Sequence, residues 1–300
     1  MTNSLKPDNF HSGFVAIVGR PNVGKSTLIN HLVGEKVSIV SPKPQTTRNK
    51  ILGIIGDEHS QIIFVDTPGF HKPNTKLGQY MVKTIENAVQ GIDILCLLID
   101  ASRPREADHE FAAAYKEYNI PKFLLLNKTD LLHPQELLPI LSSFAESGFD
   151  MMLPISAKTG EGIELLMQKI REELPLGPQY YPGDIWTDQS ERAMIAEIIR
   201  EKALLNLREE VPHGIGVEVL SVKEIREDLS EIHADIYCER NSHKSIIIGK
   251  KGEMLQKIGS QSRIDIEKLL HTHVNLQLWV KVRTGWMDNN NDLKSLGYWD

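Results

Sequence analysis

Gly19-Arg20-Pro21-Asn22-Val23-Gly24-Lys25-Ser26 is the stretch that decides how this 300-residue chain is read. It has a glycine, four residues, then Gly-Lys-Ser. Glycines let backbone N–H groups close around phosphate oxygens because no Cβ blocks the approach. At this spacing Lys25 reaches the β- and γ-phosphates, Ser26 offers its hydroxyl to Mg²⁺, and Thr27 follows in the same cradle. The apolar run Phe14–Val18 before the loop reads as a buried strand. From Lys25 to Val33 the chain reads as a helix, whose N-terminus favours an anion.

Outward from this loop, apolar strands and amphipathic helices alternate. Strands are expected at Phe14–Val18, Ile51–Ile55, Gln61–Val65, Ile92–Ile99, Lys122–Leu126 and Met151–Ile155. Helices are expected at Lys25–Val33, Lys76–Val89, Ala107–Tyr118, Pro134–Ser143 and Gly162–Glu173. That rhythm predicts an α/β domain with a mostly parallel sheet and helices on both faces. Ile51–Ile55 and Gln61–Val65 lie too close for a crossover and should form an antiparallel hairpin. Pro175, Gly177, Pro178, Pro182 and Gly183 then break the pattern. We divide the chain at 1–176, a linker at 177–190, and a second domain at 191–300. In the second, helix, strand, strand, short helix, long helix and strand follow one another, an α+β order.

Composition sets the outer bounds. The formal charge is -6, so nucleic-acid binding would need a local basic patch. The two cysteines, Cys96 and Cys238, sit in separate apolar runs and read as reduced and buried. The first residues lack the apolar core of a signal peptide, and the most apolar run, Ile92–Ile99, is too short to span a bilayer. A cytoplasmic protein is expected.

Further motifs narrow the ligand. Asn127-Lys128-Thr129-Asp130 directly follows a predicted strand. A carboxylate at Asp130 accepts from guanine N1–H and the 2-amino group, donors that adenine lacks there. Ser156-Ala157-Lys158 ends the next strand and offers a backbone N–H to the base carbonyl. Asp66-Thr67-Pro68-Gly69 ends another: Asp66 would hold Mg²⁺ through water, and the Gly69 N–H would meet the γ-phosphate. Gln45-Thr46-Thr47-Arg48 lies where a mobile loop is expected. A threonine there ligates Mg²⁺ only with the γ-phosphate in place, and Thr47 is favoured over Thr46.

Those five elements, in that order, resemble the P-loop GTPases. The Gly-Arg-Pro-Asn loop, the Thr-Thr-Arg switch and Asp-Thr-Pro-Gly resemble their translation-factor-like branch. In many such enzymes a glutamine after the second-switch glycine orients water. Here Phe70 stands there, counted with the nucleotide-binding residues but unable to hold water. The resemblance implies a different route: Asn22 holding K⁺ near the phosphates, with Asn22, Lys25, Thr47 and Gly69 carrying catalysis. Arg48 and His71 are nearby catalytic alternatives, read first as solvated switch residues.

In the second domain, Ile248-Gly249-Lys250-Lys251-Gly252 joins two predicted helices. A Gly-x-x-Gly turn lets the chain approach a nucleic-acid backbone, and the lysines meet phosphate. Arg240, Lys244, Lys250, Lys251 and Lys257 stand locally against Glu253 alone. The element order is similar to the type II KH domain. The whole chain thus resembles the Era family of bacterial GTPases. That resemblance implies a GTP-hydrolysing switch that binds 16S ribosomal RNA near its 3′ end and acts in maturation of the 30S subunit. It also implies peripheral inner-membrane association and a monomer. The competing reading is a GTP-regulated RNA-binding or membrane scaffold with little turnover. A tRNA-modifying GTPase would need a further catalytic region, and a double GTPase a second phosphate loop; neither pattern occurs in the sequence.

Overall fold

A computed structural model describes residues 9–43, 45–69 and 74–298. Phe70 and His71 lie outside the described residues. The chain divides into two compact units. The first is Met1–Ser38 with Thr47–His71 and Met81–Asp188; the second is Ile39–Thr46 with Lys72–Tyr80 and Gln189–Asp300.

The first unit is built on strands β1 (His11–Val18), β2 (Ile51–Gly56), β3 (Ser60–Asp66), β4 (Ile94–Asp100), β5 (Lys122–Asn127) and β6 (Met151–Pro154). Their order is β2-β3-β1-β4-β5-β6. β1 runs parallel to β3 and β4, while β2 returns antiparallel to β3 across a short turn, as the spacing required. Alternate side chains feed two cores. Val15, Ile17, Phe64, Cys96 and Leu125 pack with Leu28 and Ile29 of α1 (Lys25–Val33) and Leu166 and Ile170 of α5 (Ile163–Glu173). Ala16, Val18, Leu95, Leu97 and Leu124 pack on the other side with Ala112 and Tyr115 of α3 (Glu106–Tyr115). A sheet buried on both faces explains the near-continuous apolar runs. α2 (Lys76–Ala88) and α4 (Pro134–Ser143) complete the series.

The stretch expected as a linker behaves otherwise. Ser12 N–H donates to Pro175 O at 3.0 Å and Ser12 Oγ to Pro178 O at 2.6 Å. Gln61 Oε1 accepts from the N–H groups of Tyr180 and Tyr181, and Ile54 N–H donates to Trp186 O. Residues 177–188 therefore strap along the first unit. Proline fixes φ and removes donors, which breaks regular elements without preventing such bonding.

The second unit contains α6 (Glu191–Asn206), β7 (Gly216–Arg226), β8 (Leu229–Cys238), α7 (Asn241–Ile248), α8 (Glu253–Leu270) and β9 (His273–Val282). β7 pairs antiparallel and β9 parallel with β8. Ile195 and Ile199 of α6, Ile258 and Ile266 of α8, and Ile232, Ala234 and Ile236 of β8 form its core. Ser190 caps α6 by accepting from Ala193 N–H. A final helix, α9 (Asn290–Ser295), lies beyond β9; its polar sequence carries no apolar periodicity to announce it. Arg200, fully buried on α6, donates to the main-chain carbonyls of Gln45 and Thr46, and Glu201 accepts from Val40 N–H. Ile39–Thr46, which leads into the Thr-Thr-Arg switch, is part of this second unit. Both cysteines are buried and unbridged.

Candidate functional site

The carboxyl ends of the parallel strands converge, the usual place for a ligand in an open α/β sheet. β1 delivers the phosphate loop, β3 ends on Asp66, β5 on Asn127, and Ser156 follows β6. Gly24 has φ 106°, and a Cβ there would meet Asn127 Nδ2 at 2.3 Å, so only glycine fits. Asn127 ties the loops together: Nδ2 donates to Val23 O at 2.7 Å and Oδ1 accepts from Ala157 N–H at 2.9 Å. Ala157 N–H, one of the donors offered to the base carbonyl, is thus engaged within the protein. Lys128 Nζ donates to Asn22 O at 2.9 Å and pairs with Asp100 at 2.6 Å. Asp130 is exposed at the opening, its Oδ1 held at 2.7 Å by buried Ser156 Oγ. Thr129 is buried beneath it and Lys158 is exposed nearby in sequence.

Lys25 is buried and donates to Gly19 O at 3.0 Å and Arg20 O at 3.1 Å. Burial pushes its ammonium down to about 8, opposed by the charge of Asp66 and aided by Arg20. Asp66 is also fully buried, and burial holds its carboxyl above the usual carboxylate range. Asp66 Oδ2 accepts from Ser26 Oγ at 2.9 Å and Ser38 Oγ at 2.8 Å, while Oδ1 has no hydrogen-bond partner. Thr47 Oγ1 lies 3.0 Å from Ser26 Oγ, whereas Thr46 Oγ1 turns away to Lys43 O. An orphaned buried carboxylate oxygen beside two hydroxyls is an incomplete set of hard oxygen donors, and it fits Mg²⁺ completed by phosphate and water. Ser38 was not singled out from sequence. A serine in an irregular loop carries no signal, and only folding brings it to Asp66.

Thr67 Oγ1 anchors to Ile17 O at 3.0 Å. Beyond Pro68, Gly69 is pressed on the phosphate loop: a Cβ on it would lie 2.8 Å from Pro21 Cα. Arg20 does not point its guanidinium to the phosphate cradle but pairs with Asp108 on α3. Arg48, read as solvated, is buried at 1 % exposure.

In the second unit the Gly-Lys-Lys-Gly turn connects α7 and α8. Gly249 has φ 75° and ψ 178°, and a Cβ there would strike Met254 Cβ at 2.7 Å. Lys251 is left-handed at φ 52°, and Lys250, Lys251 and Lys257 are exposed, with Lys244 half-buried. From Gly252 a cleft of about 460 Å³ runs between α8 and β9. Leu255, Leu276 and Leu278 line it with Gln256, Arg263 and Asn275, an apolar floor with polar edges suited to unstacked bases. Gly252, Gln256, Gly259 and Arg263 recur at helical spacing on one stripe, a periodic signal in the sequence that the turn motif overshadowed. Among the described residues no group of three or more His, Cys, Asp or Glu side chains could hold a metal, and no helix is long and apolar enough to cross a membrane.

A Gly-x-x-x-x-Gly-Lys-Ser loop after β1, an Asn-Lys-Thr-Asp turn after β5 whose Asp130 is held by Ser156, and a Gly-x-x-Gly turn between α7 and α8 define a P-loop GTPase carrying a KH domain. Comparison with known proteins agrees. Residues 14–128 match the family described as 50S ribosome-binding GTPase, and residues 210–287 match the KH domain. Full-length relatives narrow that description. GTPase Era of Ruminiclostridium cellulolyticum is 49% identical over 97% of this chain and 98% of its own. GTPase Era of Caldicellulosiruptor saccharolyticus is 50% identical over 96% of this chain and 98% of its own. The crystal structure of Era with MgGDPNP and nucleotides 1506–1542 of 16S ribosomal RNA superposes with TM-score 0.91 at 38% identity, covering 96% of this chain and 99% of that one. An Aquifex aeolicus Era variant bound to GDP and AlF4⁻ gives the same values. The chain belongs to the Era family of GTPases.

Proposed function

We propose that this GTPase is a timer for ribosomal RNA: it binds 16S rRNA near the 3′ end through its KH cleft and releases or holds it according to its nucleotide. The observation that carries this is the placement of Ile39–Thr46. Arg200 and Glu201 of α6 hold this segment in the RNA-binding unit, and the next residue, Thr47, lies against Ser26, which donates to Asp66. A residue that engages Mg²⁺ only beside a γ-phosphate is one peptide bond from a segment owned by the other unit. Hydrolysis therefore has a covalent route to the RNA site.

Mg²⁺ would be held by Ser26 and Thr47, with Asp66 acting through water, and would neutralise charge on the β- and γ-phosphate oxygens. Lys25 adds a second positive charge from a dry position, where it acts strongly. The backbone N–H groups from Gly19 to Thr27 cradle the tail, and Asp130 selects guanine. Asn22 is the K⁺ ligand in this reading, supplying through the ion the charge that a water-orienting side chain does not. We further assign the protein to 30S subunit maturation, to the cytoplasm with peripheral contact to the inner membrane, and to a monomeric state. The Mg-nucleotide and 16S rRNA in the Era complex support the nucleotide and RNA parts. The test is a titration of 16S 3′-end fragments against the protein loaded with a non-hydrolysable GTP analogue or with GDP. Equal affinity in both states refutes the timer, and equal turnover in K⁺ and Na⁺ refutes the potassium role.

A further inference from the structure

Arg20 lies inside the phosphate loop, yet its guanidinium is committed to a carboxylate 88 residues downstream. Nε donates to Asp108 Oδ1 at 2.6 Å and Nη2 to Asp108 Oδ2 at 2.7 Å, a two-pronged pair, and Nη2 also reaches Arg103 O at 3.2 Å. The Asp108 side chain is 2% exposed and that of Arg20 13%. The carboxylate sits in the first turn of α3 and also accepts from Arg105 N–H at 2.9 Å, where the positive end of the helix dipole favours it. A desolvated fork of this kind is geometrically demanding and costly to break on one side only.

The pair fixes one end of the arc Arg20-Pro21-Asn22. Main-chain O of Arg20 accepts from Lys25 Nζ, Pro21 abuts Gly69, and Asn22 O accepts from Lys128 Nζ. This arc is the side of the loop against Gly69 of the second switch, whose N–H meets the γ-phosphate in the proposed function. Gly24 to Thr27, at the start of α1, form the part any diphosphate needs.

We propose that Asp108 is a positioning residue for GTP hydrolysis. Through Arg20 it holds the γ-phosphate side of the phosphate loop in register with the second switch, without touching the nucleotide. The proposal rests on the placement of the γ-phosphate beside Gly69; GTP turnover by the unaltered chain in the same assay checks the GTPase reading separately.

The experiment uses the full chain with Mg²⁺ and K⁺. Asp108→Asn keeps an oxygen for Arg105 N–H but loses the charge; Arg20→Lys keeps the charge but loses the fork. Expected is a fall in single-turnover hydrolysis of about tenfold for each, with GDP affinity within about twofold of the unaltered chain. The double variant should be no more than about twofold slower than either single one, because both break one contact. Unchanged or faster hydrolysis overturns the proposal. So does a parallel loss of GDP affinity, which would mark a merely structural pair, or single losses that multiply to about a hundredfold. Should Asp108→Asn melt early, Arg20→Lys with Asp108→Glu, whose longer carboxylate can meet the shorter-reaching ammonium, decides it: partial recovery over Arg20→Lys alone supports the clamp, and no recovery refutes it.

Discussion

Lys25 should make nucleotide binding pH-dependent, with a sign opposite to that of stability. Burial lowers its pKa to about 8 in the protein alone. Between two phosphate anions the ammonium is strongly favoured, so the bound complex keeps its proton. The free protein is about nine-tenths protonated at pH 7 and about one-tenth at pH 9, so GDP affinity should fall about tenfold across that interval, ~1.4 kcal/mol. At pH 8 binding should take up about half a proton. Isothermal titration calorimetry at pH 8 in two buffers of different ionisation enthalpy reads this directly. Unfolded, the same lysine titrates near ~10.4, so the unfolded chain binds more protons above pH 8. The nucleotide-free fold should therefore gain stability as pH rises from about 8 toward 10, by up to about 3 kcal/mol from this group. Lys25→Arg stays charged throughout and should flatten both profiles. Proton uptake below about 0.1 at pH 8, or an affinity equal at pH 7 and 9, would refute the argument.

Three further outcomes follow from the geometry. Asp130→Asn turns one of the two carboxylate acceptors into an amide donor and should cost about 10²–10³ in GTP affinity while improving xanthosine triphosphate binding; competition binding showing unchanged selectivity would move guanine recognition elsewhere. Ser38→Ala takes a donor from buried Asp66 and should raise the Mg²⁺ concentration for half-maximal nucleotide retention about tenfold; an unaltered midpoint would mean that Ser38 does not orient the carboxylate. Lys250→Glu with Lys251→Glu should lower the salt slope of RNA binding by about 1.4, two phosphate contacts at about 0.7 each, and a filter-binding series with the parent slope would relocate the backbone contact.

Both folds were legible because their signals are local. The strand–loop–helix spacing around Lys25, the hairpin between β2 and β3, and the Gly-x-x-Gly turn each follow from backbone sterics and short-range periodicity. Residues 177–190 misled because prolines and glycines mark the absence of regular elements, not the absence of contacts; Gln61 and Ser12 bind this segment from far away in the chain. Arg48 misled because a charged residue in a loop is ordinarily solvated, and only the packed structure buries it.

The sequence by itself marked Lys25 for a phosphate tail, Asp130 for guanine, and Lys250 and Lys251 for a nucleic-acid backbone. Each of these depends on residue type at fixed spacing within a few residues. The tertiary structure alone decided that Ser38 supports Asp66, that Arg20 belongs to Asp108, and that Ile39–Thr46 is built into the RNA-binding unit. Those are pairings across 28, 88 and about 155 residues. No local rule encodes them, because the partners meet only when the sheet and helices bring distant chain segments within hydrogen-bonding reach.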